Sequence, residues 1–559
     1  MQTKWDLTQF YKSPGDPQIE IDKQVVWEKA KWFAAKWQNR TDYLSDPKIL
    51  KEALDEYCEF CRLYANGGNP YYYLKLSNVL DQIDPVLKAK VNKISDLAIE
   101  IQNLIQFFEL SLVNVKTTKI NSYQHFLEKI IRQKPHLLSD KEEKIMNLKS
   151  LPAYDFWVEM TEKFLSRENI SVLQSQMTDT NKKIRATAAK KFNEIMEKYS
   201  DVAEHELNAI LQDKKINDQI RNYDRPDIAR HLADDIETEV VDTLVKTVSN
   251  NFKIAHDYYK LKAKILGVKK LNYYERNMPV GKFYKKFSLE ETIKLVSKTF
   301  GEIDPQYKEI FEKLLTNGQI DFMPVKGKAS GAACWHNLLS QPTFLFQNFT
   351  GKLRDVTTLA HEMGHAINNE LVRAKQNALN FGTPTSTAEV ASTFMEDFIL
   401  QEILKNISSS ERLSVLMEKL DDDISTIFRQ VALYNFETEL HTTFRQKGFL
   451  SKEEINKLFI KHMDSYCGSY VDLKGAKNWW VYWSHIRYYF YVYSYAGGLL
   501  ISKYLQRNKS NIKEFLSAGL SDSPKNIFSK LGINISDAAF WQTGIDEIKT
   551  LLEETKKLV

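Results

Sequence analysis

After Gly68 the chain contains no glycine until Gly267, and no proline lies between Pro152 and Pro226. Glycine and proline punctuate turns and sheet corners, and both are poor in helix interiors. A run of this length, rich in Lys, Glu, Leu, Ile and Ala, predicts successive long helices. Within it Ile184, Ala188, Phe192, Ile195 and Met196 recur at helical spacing between Asn181 and Leu211. A second helical block is predicted from about Ser386 to the C-terminus. Between the two blocks the composition changes. Residues 321–382 carry Gly327, Gly331, Gly351, Gly364 and Gly382 with Pro324 and Pro342, and the stretch from Thr343 to Thr350 has the aromatic and β-branched content of a strand. The prediction is a mainly α protein with a small β-sheet inserted. There is no internal repeat and no low-complexity tract. No flexible linker marks a boundary, so the division into an N-terminal helical region, 1–165, and a second region, 166–559, is an expectation only.

A chain of 559 residues with 43% hydrophobic content can bury a large core. Lys and Arg total 77 against 73 Asp and Glu, a net charge of +4, which argues against a nucleic-acid binder with its concentrated basic footprint. The mean hydropathy of −0.42 and the lack of a long uncharged apolar run argue against a transmembrane helix and a membrane partner. Asp6 and its polar neighbours stand where a secretory leader needs its apolar stretch. Four cysteines do not make a disulfide framework. The expectation is a soluble cytoplasmic protein. Cys58 and Cys61 form a C-x-x-C inside a helical pattern with no second pair, which reads as packing rather than a metal or redox site.

His361-Glu362-Met363-Gly364-His365 contains the pattern H-E-x-x-H, a known zinc-peptidase signature. Residues four apart share a helical face, so both imidazoles can reach one ion. Glu362 sits beside them, suited to taking a proton from a water. In a chain with 11 histidines an accidental match is expected about 0.01 times, and Val356, Leu359, Met363, Ile367 and Leu371 supply the apolar face that a buried helix needs. His205-Glu206 begins the same way but has Ala209 in the fourth place, and drops out.

A catalytic zinc needs a third protein ligand and an open position. The extension H-x-x-G-x-x-H fails, because Asn368 and Leu371 occupy its key places, and a thermolysin-like interval ends on Pro384 and Thr385. Glu370 lies on the motif helix itself. The next candidate is Glu389, placed in the first turns of a helix that Thr385, Ser386 and Thr387 can cap. Its alternative role is that of a solvated glutamate favoured by the helix dipole. Glu396, two turns on along the same face, is a candidate acceptor for a ligand histidine.

The block Phe346-Gln347-Asn348-Phe349, the run Thr358 to His365 and the run Ala388-Glu389-Val390-Ala391-Ser392-Thr393-Phe394 resemble the thimet oligopeptidase and oligoendopeptidase F family, most closely its shorter bacterial, Pz-peptidase-like branch. Trp5-Asp6-Leu7 and the aromatic run Tyr491 to Ala496 are also similar to that family. The resemblance implies a two-lobed helical peptidase with a deep cleft, one Zn²⁺ per chain on His361, His365 and Glu389, and Glu362 as general base. It implies internal cleavage of short unstructured peptides. It further implies that the strand from Phe344 to Phe349 is a sheet edge binding the peptide, with Phe346, Gln347 and Asn348 contacting it, and Gly331 and Ala332 in a nearby loop. Oxyanion donors are expected from His485 with Tyr488, Tyr491 and Tyr495, the tyrosines taken to share one helical face. Arg487, and the lack of a proline before His485, depart from the family pattern and leave the register of those tyrosines open. The His-Glu-Met-Gly-His wording is similar as well to angiotensin-converting-enzyme-type dipeptidyl carboxypeptidases. That reading and a peptide-binding protein without turnover are the alternatives.

Overall fold

The glycine-free run resolves into helices joined by short turns, from Gly68–Leu80 to Lys253–Ile265, in a computed structural model that describes residues 2–281, 283, 285–507 and 511–559. Helices α1 (Gln18–Trp37), α2 (Pro47–Leu63) and α3 (Pro85–Ile105) open the chain. The starts of α2 and α3 follow one local rule. Asp46 accepts the Lys48 and Ile49 N–H groups, Asp84 accepts those of Val86 and Leu87, and a proline fills the first helical position of each. These helices share a core built on Val26, Phe33, Trp37, Leu54 and Ile101. A second, much larger core runs without interruption from Val158 to Leu552.

The stripe between Asn181 and Leu211 belongs to two helices, Lys182–Lys198 and α4 (Ser200–Ile220). Ala188, Phe192, Ile195 and Met196 are buried as the spacing predicts, whereas Ile184, in the first turn, is 40% exposed.

The strands are short: β1 (Leu271–Asn272), β2 (Ile320–Asp321), β3 (Ala333–Trp335), β4 (Phe344–Phe346) and β5 (Val471–Asp472). β1 pairs with β5 in parallel, and the other three form one sheet in the order β2-β4-β3. β4 is its centre, parallel to β2 with Ile320 opposite Leu345, and antiparallel to β3 with Cys334 opposite Leu345. The expected edge strand is therefore the middle one, and the edges are β2 and β3. The physical reason is visible in the composition of β4, whose three residues are all large, apolar and buried, as a strand covered on both faces requires. Trp5 seals one side. Its indole donates to the Leu345 carbonyl at 2.7 Å, and its ring packs edge-on to Phe344 and Phe346 at 5.4 and 6.0 Å. Phe346 is thus a core residue under Trp5 and does not face the cleft.

Helices α5 (Leu353–Lys375) and α6 (Glu389–Leu404) carry the site residues together with α8 (Tyr493–Arg507), against which α7 (Gln430–Lys447) packs. Among the described residues, no helix is long and apolar enough to cross a membrane.

Candidate metal centre

Helix α5 begins where Asp355 accepts the Thr350 and Lys352 N–H groups at 2.7 and 3.0 Å. It buries Val356, Leu359, Ala360, Met363, Ile367 and Leu371 and leaves the histidines on the opposite side. Helix α6 crosses it with Glu389 in its first turn, after the single turn Thr385–Thr387. The crossing is close because position 364 is glycine. A Cβ there would lie 2.5 Å from the Ala391 carbonyl oxygen and from Ser392 Cα.

The two helices bring three donor atoms together. His361 Nε2 lies 3.4 Å, and His365 Nε2 3.6 Å, from Glu389 Oε2, and all three fall within 4.8 Å of one another. Ligand atoms 2.0–2.1 Å from one tetrahedral ion stand about 3.4 Å apart, so the donor set fits a single small ion. The two histidine side chains are 29% and 25% exposed and that of Glu389 35%, as suits a site that keeps a position open. Glu396 Oε2 lies 3.3 Å from His361 Nδ1, which directs Nε2 toward the centre. Glu389 is further held by the Ser392 hydroxyl at 2.9 Å. Glu370 takes no part, since it accepts from Thr343 Oγ1 and Arg373 Nε.

The charges are coupled. Burial disfavours the His361 imidazolium, but Glu389 and Glu396 outweigh it and push the group up to about 10. Burial, aided by the charge of His361, holds His365 down to about 4 against the pull of Glu389. Burial raises Glu389, yet both histidines and Ser392 carry it down to about 2. Glu362 is 9% exposed, and its carboxyl is raised, first by burial and also by Glu389, against His361 and a hydrogen bond from the Cys334 N–H.

The group lies in a cavity of about 950 Å³. Gly331, Ala332, Gln347, Asn348 and Tyr495 line it with His361, Glu362 and Glu389, and Phe346 does not. Asn348 donates to the Ala329 and Gly331 carbonyls, both at 2.9 Å, and so holds the glycine loop beside the cavity.

The predicted tyrosine helix is not formed. Ser484–Arg487 is a 3₁₀ turn, Tyr489 and Phe490 have φ of 51° and 57°, and α8 starts only at Tyr493. Helical spacing therefore does not relate these tyrosines. Tyr491 turns back to place its hydroxyl 2.6 Å from His485 Nδ1, and Tyr495 lies 6.1 Å from the His485 ring and 5.7 Å from that of Tyr491. Tyr488 leaves this cluster, its side chain 48% exposed. Arg487, the departure from the family pattern, is buried and bonds Glu206 through Nε at 2.6 Å and Nη2 at 2.8 Å. The glutamate of the discarded His205-Glu206 pair is thus a core ion-pair partner.

Two cleft groups escaped the sequence reading. Arg354 and Arg429 line the cavity, and among the described residues neither has an ion-pair partner within 4 Å. Arg429 ends a π-type turn, Ile424–Arg429, a local winding that recurs at functional sites but has no sequence signature.

The chain matches the profile of peptidase family M3 over residues 175–547 and that of oligopeptidase F over 115–167. It is 25% identical over 599 aligned positions to the group B oligopeptidase of Streptococcus agalactiae, covering 100% of this chain and 97% of that protein. The plasmid oligoendopeptidase F of Lactococcus lactis subsp. cremoris is 24% identical over 596 positions, with 99% and 97% covered. Among solved structures, a protein from Chlamydophila abortus superposes with a TM-score of 0.85 at 22% identity, over 100% of this chain and 98% of that one. Oligoendopeptidase-F from Enterococcus faecium gives 0.67 at 20% identity, over 97% and 98%. With a profile match spanning about two thirds of its length, and a His-His-Glu group of the right size on its α5–α6 crossing, this chain belongs to peptidase family M3 and is a metallopeptidase.

Proposed function

We propose that the protein is a zinc-dependent oligoendopeptidase that hydrolyses internal bonds of short unstructured peptides. The observation that carries this reading is the triangle of His361 Nε2, His365 Nε2 and Glu389 Oε2, set beside the buried carboxyl of Glu362 in one cleft. These three side chains would hold Zn²⁺, which when bound supplies Lewis acidity, polarising a carbonyl and lowering the pKa of a water to about 7.

The remaining work falls to the chain. An extended peptide lies along the exposed side of β3, where main-chain groups can pair with it. Ala332 and the loop held by Asn348 flank it. Glu362, buried beside the metal group, takes a proton from the attacking water and passes it to the leaving nitrogen. Tyr495 and the His485–Tyr491 pair face the oxyanion that develops at the scissile carbonyl, as neutral donors. Burial, followed by the charge of Arg429, lowers His485, which keeps the imidazole neutral for this task. Tyr488 has no part.

A second reading rests on Arg429. A cation in the cleft without a carboxylate partner suits the free C-terminus of a substrate, as a dipeptidyl carboxypeptidase requires. Peptides blocked at both ends, beside the same peptides with a free C-terminus, followed by mass spectrometry with the wild-type protein and its Glu362→Gln form, separate the two. Internal cleavage by wild type alone supports the endopeptidase. Cleavage confined to free C-termini supports the second reading, and no cleavage by a zinc-loaded protein would overturn both.

A further inference from the structure

The segment that carries His485 and Tyr491 is backbone under strain. Tyr489 and Phe490 are consecutive large aromatic residues in the left-handed region, where a side chain of that size is rarely found. Such a pair persists only where its surroundings over-determine it. Here the surroundings are specific. Tyr154 donates to the Arg487 carbonyl at 2.5 Å, the guanidinium of Arg230 reaches the Tyr488 and Tyr489 carbonyls at 3.4 Å, and Tyr489 donates to the Ile210 carbonyl at 2.9 Å.

The strained amide itself is taken by α7. Glu437 is fully buried, and its Oε1 accepts the Phe490 N–H at 2.8 Å. Its other oxygen has no hydrogen-bond partner among the described residues. Tyr434 and His441, three residues before it and four after, pack their rings on Phe490 at 5.6 and 4.8 Å, so one face of α7 forms a seat for the turn. The turn reverses the chain, and only after that reversal does the Tyr491 hydroxyl meet His485 Nδ1 six residues earlier. A buried carboxyl spent on a single backbone N–H is otherwise costly, and burial drives this one up to about 8.

We propose that Glu437 is a positioning residue of this peptidase: by accepting the Phe490 N–H it holds the left-handed Tyr489–Phe490 turn, and so sets Tyr491 against His485. The inference rests on the reading that the His485–Tyr491 pair serves the reaction.

The test uses the zinc-loaded protein and an end-blocked, internally quenched peptide. Tyr491→Phe is expected to lower kcat about 100-fold with KM little changed. Glu437→Leu is expected to lower kcat at least about tenfold, again with KM and zinc content unchanged. Glu437→Gln keeps an acceptor oxygen for the same N–H and should stay within about threefold of wild type. In the double form Glu437→Leu/Tyr491→Phe, the loss should not exceed that of Tyr491→Phe by more than about threefold, because the position of an absent hydroxyl no longer matters. Full kcat in Glu437→Leu beside a damaged Tyr491→Phe would overturn the proposal alone, as would Glu437→Gln being as slow as Glu437→Leu. Full kcat in Tyr491→Phe would instead overturn the role of the pair. If Glu437→Leu fails to fold, hydrogen exchange in the wild-type protein decides: the Phe490 amide must be strongly protected, and free exchange there refutes the clamp.

Discussion

Gly364→Ala tests the geometry of the metal group without touching any of its donors. The added Cβ would stand 2.5 Å from the Ala391 carbonyl oxygen and Ser392 Cα and 2.7 Å from the Ala391 carbonyl carbon, whereas ordinary contact begins at 3.4 Å. All three neighbours are backbone, so no side chain can swing away, and α5 and α6 must part by about 0.9 Å, the difference between the two distances. His365 follows position 364 directly, and Glu389 precedes Ala391 by two residues on the opposite helix. The displacement therefore falls on the His365–Glu389 side of the triangle, now 3.6 Å across. Zinc–ligand bonds of 2.0–2.1 Å do not stretch by that amount, so one ligand is lost or the helices stay strained. Zinc affinity should fall at least about 100-fold, or about 2.7 kcal/mol, and the zinc-free protein should lose about 1–3 kcal/mol from overpacking. Titration against a chromophoric chelator measures the first, and unfolding midpoints of the zinc-free forms the second. A Gly364→Ala protein that binds zinc within about threefold of wild type would refute the claim that this crossing sets the site.

Glu396→Gln should weaken zinc binding by about 10- to 100-fold while leaving the fold intact, since it removes the charge that orients and polarises His361; the same chelator titration reads it. His231 is 1% exposed, and burial holds it down to about 4, below its ordinary 6.5. Its contribution is complete above pH 6.5 and is lost as pH falls toward 4, so acid should destabilise the wild-type protein by up to about 3 kcal/mol more than it does His231→Gln, seen in denaturant midpoints across that window. Arg487→Met strands the Glu206 carboxylate in the core and should cost about 3–5 kcal/mol, with most of the loss recovered in Arg487→Met/Glu206→Leu; equal melting temperatures for the single and double forms would contradict the ion-pair account.

The metal group was legible in the sequence because its parts are local. His361 and His365 are a fixed turn apart on one helix, and helix periodicity alone puts them on one face. The interval to Glu389 placed the third donor at a helix start, although Ala388 precedes that helix and none of Thr385, Ser386 and Thr387 caps it with a side chain. The mainly α fold followed from where glycine and proline are missing. What failed was whatever depends on contacts distant in sequence. Phe344 to Phe349 reads as a strand, but whether it is edge or centre is decided by Ile320–Asp321 and by Trp5, which lies more than three hundred residues away. Tyr488, Tyr491 and Tyr495 look like one helical face, yet Glu437, Arg230, Ile210 and Tyr154 together stabilise two left-handed residues that local preference forbids. Arg487 looked like a departure from a pattern and is the partner of Glu206. Gly364 shows the division most plainly. Its place in the motif can be read from the chain, but its necessity comes from the backbone of α6, which only folding brings within reach. Local spacing is set by covalent geometry and is written in the sequence. Pairing, strain and close approach are set by the balance of many remote contacts, and only the tertiary structure decides them.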